Sequence, residues 1–145
     1  MGYRRGVIRW GLMVSVLLAF GCGDDGGAGG FDAVLTDHSD ALTDQPGDNV
    51  AELEVMSSDE DIALNRLLAT FEDPSGTATA YDTELLVDAN SDGLLGEGDT
   101  LLLIEPPANI IDDGDVGGPE FDFTLYKELD GSRVETLHTE FYAPN

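Results

Sequence analysis

Basic residues are scarce in this chain: six Lys and Arg stand against 30 Asp and Glu, for a formal charge of −24 at pH 7. Arg4, Arg5 and Arg9 precede Gly21, and every acidic residue follows it. From Cys22 onward only Arg66, Lys127 and Arg133 remain, so that part carries 3 basic and 30 acidic residues, a formal −27. Such a body is repelled by nucleic acid and by anionic membrane surfaces, which argues against either as a partner for the body itself. It attracts cations and repels itself when compact, so a bound cation would stabilise it. Cysteine occurs once, at Cys22, which excludes an intramolecular disulfide. The longest uncharged apolar run near the start, residues 10–20, has 11 residues. That is short of the roughly 18 or more that a spanning helix needs.

Catalytic signatures are also missing. There is no Gly-x-Ser-x-Gly, no glycine-rich phosphate loop, no Cys/His set with zinc spacing and no basic patch interleaved with aromatics. Carboxylates are so numerous that no pair is marked as a tuned acid and base. The two histidines, His38 and His138, stand among polar neighbours and read as surface residues, with no serine or cysteine nucleophile suggested beside them.

What is present begins with an export signal. Arg4, Arg5 and Arg9 form a basic segment, residues 10–20 an apolar one, and Ala19-Phe20-Gly21-Cys22 follows. A small residue directly before a sole cysteine, behind an apolar run, resembles a bacterial lipobox. The resemblance covers about the first 22 residues and implies lipidation of Cys22, with a signal peptide over 1–21. Gly21 and Cys22 fit it, whereas Phe20 and Ala19 depart from the family's preference for a small residue preceded by Leu. Ala19-Phe20-Gly21 also satisfies an ordinary small-x-small cleavage site, which would leave a free thiol at the new N-terminus. The Gly/Asp run after Cys22 suits a flexible tether. The expected place is the bacterial cell envelope, membrane-anchored through lipid.

The most chemically informative stretch is residues 88–99, Asp-Ala-Asn-Ser-Asp-Gly-Leu-Leu-Gly-Glu-Gly-Asp. Calcium takes six to eight oxygen ligands, and a twelve-residue loop supplies them from positions 1, 3, 5, 7, 9 and 12. Those positions hold Asp88, Asn90, Asp92, Leu94 (backbone carbonyl), Gly96 (through a water) and Asp99. Gly93 stands at position 6, where a sharp turn needs positive φ, and Leu95 at position 8 would anchor the loop to a core. These twelve residues resemble an EF-hand or dockerin-type loop, which implies structural calcium. Asp99 replaces the Glu usual at position 12, so a weak affinity is expected, on the order of 10⁻⁴ to 10⁻³ M. The flanks differ from an EF-hand: Thr100-Leu101-Leu102-Leu103-Ile104 is short, apolar and soon followed by Pro106-Pro107, so it reads as a buried strand. A solvated acidic turn has the same residue types.

The remaining chain reads as a mainly β fold, a small antiparallel β-sandwich-like domain over residues 50–145 with at most one short helix. Residues 22–49 read as a flexible acidic, glycine-rich tether, and Asn49 to Met56, with Val50, Leu53 and Val55 alternating, as a first edge strand. Residues 62–71 fit two patterns. Leu64, Leu67, Leu68 and Phe71 recur at helical spacing with a capping-box-like Ser57 and Glu60, while Ile62, Leu64 and Leu68 fit a strand. Thr77 to Val87 is rich in β-formers. The acidic run 112–115 reads as a turn. At the end, Phe121, Phe123 and Leu125 alternate with polar residues, as do Leu137, Thr139 and Phe141 across Asp130-Gly131-Ser132. A two-residue loop at Asp130-Gly131 would set Leu125 opposite Thr136 and Phe121 opposite Glu140, whereas a three-residue loop at 130–132, the expected one, sets Phe121 opposite Phe141, Leu125 opposite Leu137 and Lys127 opposite Glu135.

The sequence therefore points to an exported acidic β-domain, binding calcium structurally and serving as a non-catalytic envelope module with a protein or glycan partner it does not name. An exported metal- or carboxylate-dependent hydrolase, and a structural lipoprotein with no ion, also fit.

Overall fold

The computed structural model describes residues 30–107, Ile111, Asp115 and 118–142. The predicted signal peptide, Cys22 and the glycine run to Gly29 lie outside the described residues, as do Ile110 and most of the 112–115 acidic run. Among the described residues nine strands follow in order: β1 (Phe31–Asp37), β2 (Asn49–Ser58), β3 (Ile62–Ala63), β4 (Leu67–Glu72), β5 (Ala78–Val87), β6 (Leu94–Leu95), β7 (Thr100–Ile104), β8 (Glu120–Leu129) and β9 (Ser132–Tyr142). Every pairing is antiparallel. The fold is mainly β, and the described residues include no α-helix, only the 3₁₀ turn Leu64–Arg66.

Seven strands form one sheet in the order β1-β2-β7-β5-β4-β8-β9, and β3 pairs with β6 in a separate ribbon. The sheet curls until its edge strands β1 and β9 come near one another, giving a nearly closed barrel-like form. Its two halves face each other as the layers of a sandwich would. Leu53, Leu101 and Leu103 come from the β1-β2-β7-β5 half, and Phe71, Phe123, Leu125 and Phe141 from the β4-β8-β9 half; all are buried. Phe71 is the hub of the aromatic part, with ring centroids 4.5 Å from Tyr81, 5.1 Å from Phe123 and 5.3 Å from Phe141.

Three local expectations change. Residues 31–37 belong to the sheet, not to the tether, and pair with β2. Phe31, Ala33 and Leu35 pack against the core while Asp32, Val34 and Thr36 face out. The period of two is masked in the sequence because outward Val34 is as apolar as its inward neighbours. The helix-or-strand ambiguity at 62–71 resolves to strand. β3, one 3₁₀ turn and β4 replace any α-helix, because pairing with β5 and β8 satisfies the backbone on both sides of β4. The 3.6-residue spacing of the leucines has no helical face to serve: inward Ala69 and Phe71 are buried, while Leu68 pairs with Tyr126.

The terminal hairpin combines both registers that the sequence allows. Its turn is a two-residue Asp130-Gly131 turn, not the predicted three-residue loop, and both residues take positive φ (51° and 77°). Two residues of that handedness match the natural strand twist. From this turn Leu129 faces Ser132, Glu128 faces Arg133, Lys127 faces Val134 and Tyr126 faces Glu135. A bulge then shifts the register, so that Leu125 faces Leu137 and Phe121 faces Phe141, as predicted. Thr136 is the extra residue at the bulge. The expected Lys127–Glu135 pair is therefore absent. Lys127 follows Phe121, Phe123 and Leu125 on the inward face, is buried, and forms an ion pair with Glu60.

Candidate functional site

The loop 88–99 joins β5 to β7, which are neighbours in the sheet. It is an elaborated hairpin connection, not a helix–loop–helix. The chain leaves β5 through a register shift between Leu85 and Val87 and enters β7 directly after Asp99. Midway, Leu94–Leu95 pairs with Ile62–Ala63 across the small ribbon, and Leu95 is fully buried, as position 8 requires. The loop is thus pinned to the body at its middle as well as at its ends.

Each predicted side chain organises the turn. Asp88 accepts hydrogen bonds from the Gly93 amide (2.8 Å) and the Asp92 amide (3.2 Å). Asn90 Oδ1 also accepts from the Asp92 amide, and Asp92 Oδ1 accepts from the Leu94 amide at 2.8 Å. Asn90 Nδ2 donates to Asp92 Oδ2. Gly93 has φ +75°, the conformation its position demands, and Ser91 also takes positive φ at 61°.

Asp99 differs from the others because it is buried, with 1% of its surface exposed. Its two carboxylate oxygens accept from the Ala89 and Gly96 amides, both at 2.7 Å. One side chain therefore ties the start of the loop to its end. Its backbone is fixed as well: Val55 N donates to Asp99 O, and Gly98 N donates to Val55 O, each at 2.9 Å. Position 12 is consequently part of the core frame, whereas Asn90 and Asp92 lie at the exposed tip and Asp88 is half-buried beside them.

The structure brings Asp88, Asn90 and Asp92 together at the tip and sets Asp99 beneath them, with its oxygens on loop amides. The Leu94 carbonyl lies in the small ribbon. Asp61 was missed by sequence reading. Its carboxylate lies against the Cα of Gly96, which leaves no room there for a side chain, and Asp99 Oδ2 is close by. The only signal for Asp61 was its place in the acidic break before β3, which did not reveal that β3 pairs with the loop. Among the described residues, no group of three or more His, Cys, Asp or Glu side chains is gathered closely enough to hold a metal ion as they stand. A carboxylate has about four lone-pair sites. Those of Asp88, Asp92 and Asp99 keep acceptor capacity beyond the hydrogen bonds just given.

Two other polar groups sit in the frame. Tyr81 is 5% exposed, and its hydroxyl has no hydrogen-bond partner among the described residues. Burial raises its pKa far above the ordinary tyrosine range, and the nearby Glu105 and Asp115 carboxylates raise it further. It stays neutral at any physiological pH. Glu105 is buried and accepts the Ile111 amide at 2.8 Å, which draws Ile111 into the core. His38 was read as an exposed residue, but its side chain is only 12% exposed and lies between Asp40 (3.4 Å) and Glu52 (3.5 Å). Asp37 beside it has a raised pKa, chiefly from burial. His138 is a half-exposed strand residue near Asp122, as expected.

Comparison with known protein families, curated proteins and solved structures finds no match for this chain. The functional reading rests on its own residues.

Proposed function

We propose that this protein is an exported, lipid-anchored acidic β-domain that binds calcium structurally at the 88–99 loop and acts as a non-catalytic envelope module. The ligands would be Asp88, Asn90, Asp92, the Leu94 carbonyl, a water on Gly96, and Asp99. The observation that carries this reading is the placement of Asp99: a buried carboxylate holds both ends of the loop and leaves three acceptor side chains together at its tip. A cation there would offset repulsion in a body of formal charge −27. It would also lock the connection between two core strands. The proposed anchor is Cys22, with the glycine-rich run that follows it as a tether.

The calcium test is a thermal melt of the full-length protein in EDTA and then in 10 mM calcium, beside Asp88→Ala. For a Kd of order 10⁻⁴ to 10⁻³ M, mass action gives about 1.4–2.7 kcal/mol of added stability. A domain of this size should then melt on the order of 5–15 °C higher. The variant should lose most of that rise. A wild-type melt that ignores calcium would reduce the loop to an acidic turn.

The anchoring test is separate. In cells, Cys22→Ser should move the protein from the detergent-rich phase to the aqueous phase on Triton X-114 separation, and abolish labelling by a fatty-acid analogue. Unchanged partitioning and labelling of the serine variant would refute lipidation at Cys22.

A further inference from the structure

The body from Cys22 onward has only three basic side chains, Arg66, Lys127 and Arg133, set far apart in the sequence. All three residues line one surface groove of about 200 Å³ beside the 3₁₀ turn, β8 and the start of β9. Lys127 contributes only its strand position, since its ammonium turns inward to Glu60. Arg66 and Arg133 are the other two basic residues that line the groove. Among the described residues, neither is within ion-pair distance of any carboxylate, although the chain holds 30.

Arg66 is held in place without being neutralised. Its Nε (3.0 Å) and one terminal nitrogen (2.5 Å) both donate to the backbone carbonyl of Glu128. A neutral carbonyl fixes the guanidinium plane and leaves its charge and remaining donors available. Arg133 is exposed and pairs with Glu128 only in backbone register. Two residues along β8 from Glu128, Tyr126 is the cross-strand partner of Leu68, and both line the same groove. The lining is mostly polar, with the two arginines, Asn65 and Glu128, and Tyr126 and Leu68 belong to its smaller apolar part.

We propose that this groove binds a small ligand carrying a single carboxylate on a ring, with Arg66 and Arg133 holding the carboxylate and Tyr126 packing on the ring. Guanidinium donors in a fork match carboxylate geometry. Glu128 is the one acidic residue lining the groove, so two guanidiniums against one carboxylate leave room for one negative charge. That balance favours a monoanion over a phosphate dianion. The long-range field of the body repels free anions, so recognition is decided at contact and not by steering. The volume falls below the roughly 300–1,000 Å³ of drug-sized pockets and suits one ring with its acid group. This proposal does not depend on calcium at the 88–99 loop.

The test is a titration of full-length protein in detergent micelles, with EDTA present and ionic strength held constant. The probes are benzoate, glucuronate, inorganic phosphate and chloride, read from the arginine side-chain Nε–H NMR signals. The expected result is saturable movement of the Arg66 and Arg133 signals with benzoate or glucuronate, and weaker or non-saturating movement with phosphate and chloride. Benzoate above glucuronate would identify aromatic acids as the class, and the reverse would identify acidic sugars. Arg133→Gln should weaken carboxylate binding at least about tenfold, and Arg133→Lys should recover part of it, while both variants melt as wild type does. Arg133 is the chosen position because replacing Arg66 would also free the Glu128 carbonyl. Binding unchanged in Arg133→Gln, or phosphate binding as tightly as either carboxylate, would overturn the proposal.

Discussion

Phe71→Ala is expected to lower the unfolding free energy by about 3–5 kcal/mol, measured by urea denaturation of the full-length protein. Phe71 is fully buried and touches three aromatic rings from three different strands. Its removal deletes apolar burial and three ring contacts at once, each ring pair being worth about 0.5–1.5 kcal/mol beyond its area. The strand that carries Phe71 is hydrogen-bonded on both sides, so little collapse of the backbone is available to fill the cavity. A domain of this size has about 5–15 kcal/mol in total, so the variant should sit close to the edge of folding. Phe71→Leu should recover about half of the loss. A cost for the alanine variant below about 1 kcal/mol would mean that the two sheet halves are not packed across this ring.

Asp99→Ala is expected to cost about 2–4 kcal/mol even in EDTA. The carboxylate accepts two short amide hydrogen bonds, and charge-assisted bonds of this kind are the stronger ones. Without it the buried Gly96 amide has no acceptor, while the Ala89 amide is only partly buried and can reach water. Asp99→Asn should cost less, since one acceptor oxygen remains. Chemical denaturation of wild type, Asp99→Ala and Asp99→Asn in EDTA separates this frame-closing role from any role in holding a cation. Equal stability of all three in EDTA would remove Asp99 from the frame. In contrast, Asp88→Ala should cost less in EDTA than Asp99→Ala, because Asp88 is only half-buried and the Asp92 and Gly93 amides that it accepts from are exposed and can reach water. The two positions therefore report on different properties of one loop: Asp99 on its closure, Asp88 on its response to calcium.

The sequence by itself determined the mainly β class, the charge balance and the boundaries of the 88–99 loop. Each of these is written in local order: alternation along β8 and β9, β-branched and apolar runs at β5 and β7, and turn residues at Asp88, Gly93 and Gly98. It also determined the outer part of the terminal hairpin, because the register set by a turn near Asp130-Gly131 that pairs Phe121 with Phe141 also pairs Leu125 with Leu137. Only the tertiary structure decided where local signals compete or where partners come from afar. Residues 62–71 carry helical leucine spacing, but strand pairing on both sides of β4 overrides it. β1 hides its period behind outward Val34. The hairpin keeps both of its candidate registers by placing Thr136 at a bulge, a choice that favours the Asp130-Gly131 turn and the apolar pairs together. Lys127 faces inward because the strand's pleat puts it there, and it is tolerated because Glu60 arrives from the bend between β2 and β3. Asp61 against Gly96, and Arg66 beside Arg133, are likewise contacts between segments distant in the chain. No spacing along the sequence encodes them, because they follow from the order in which seven strands are stitched into one curled sheet.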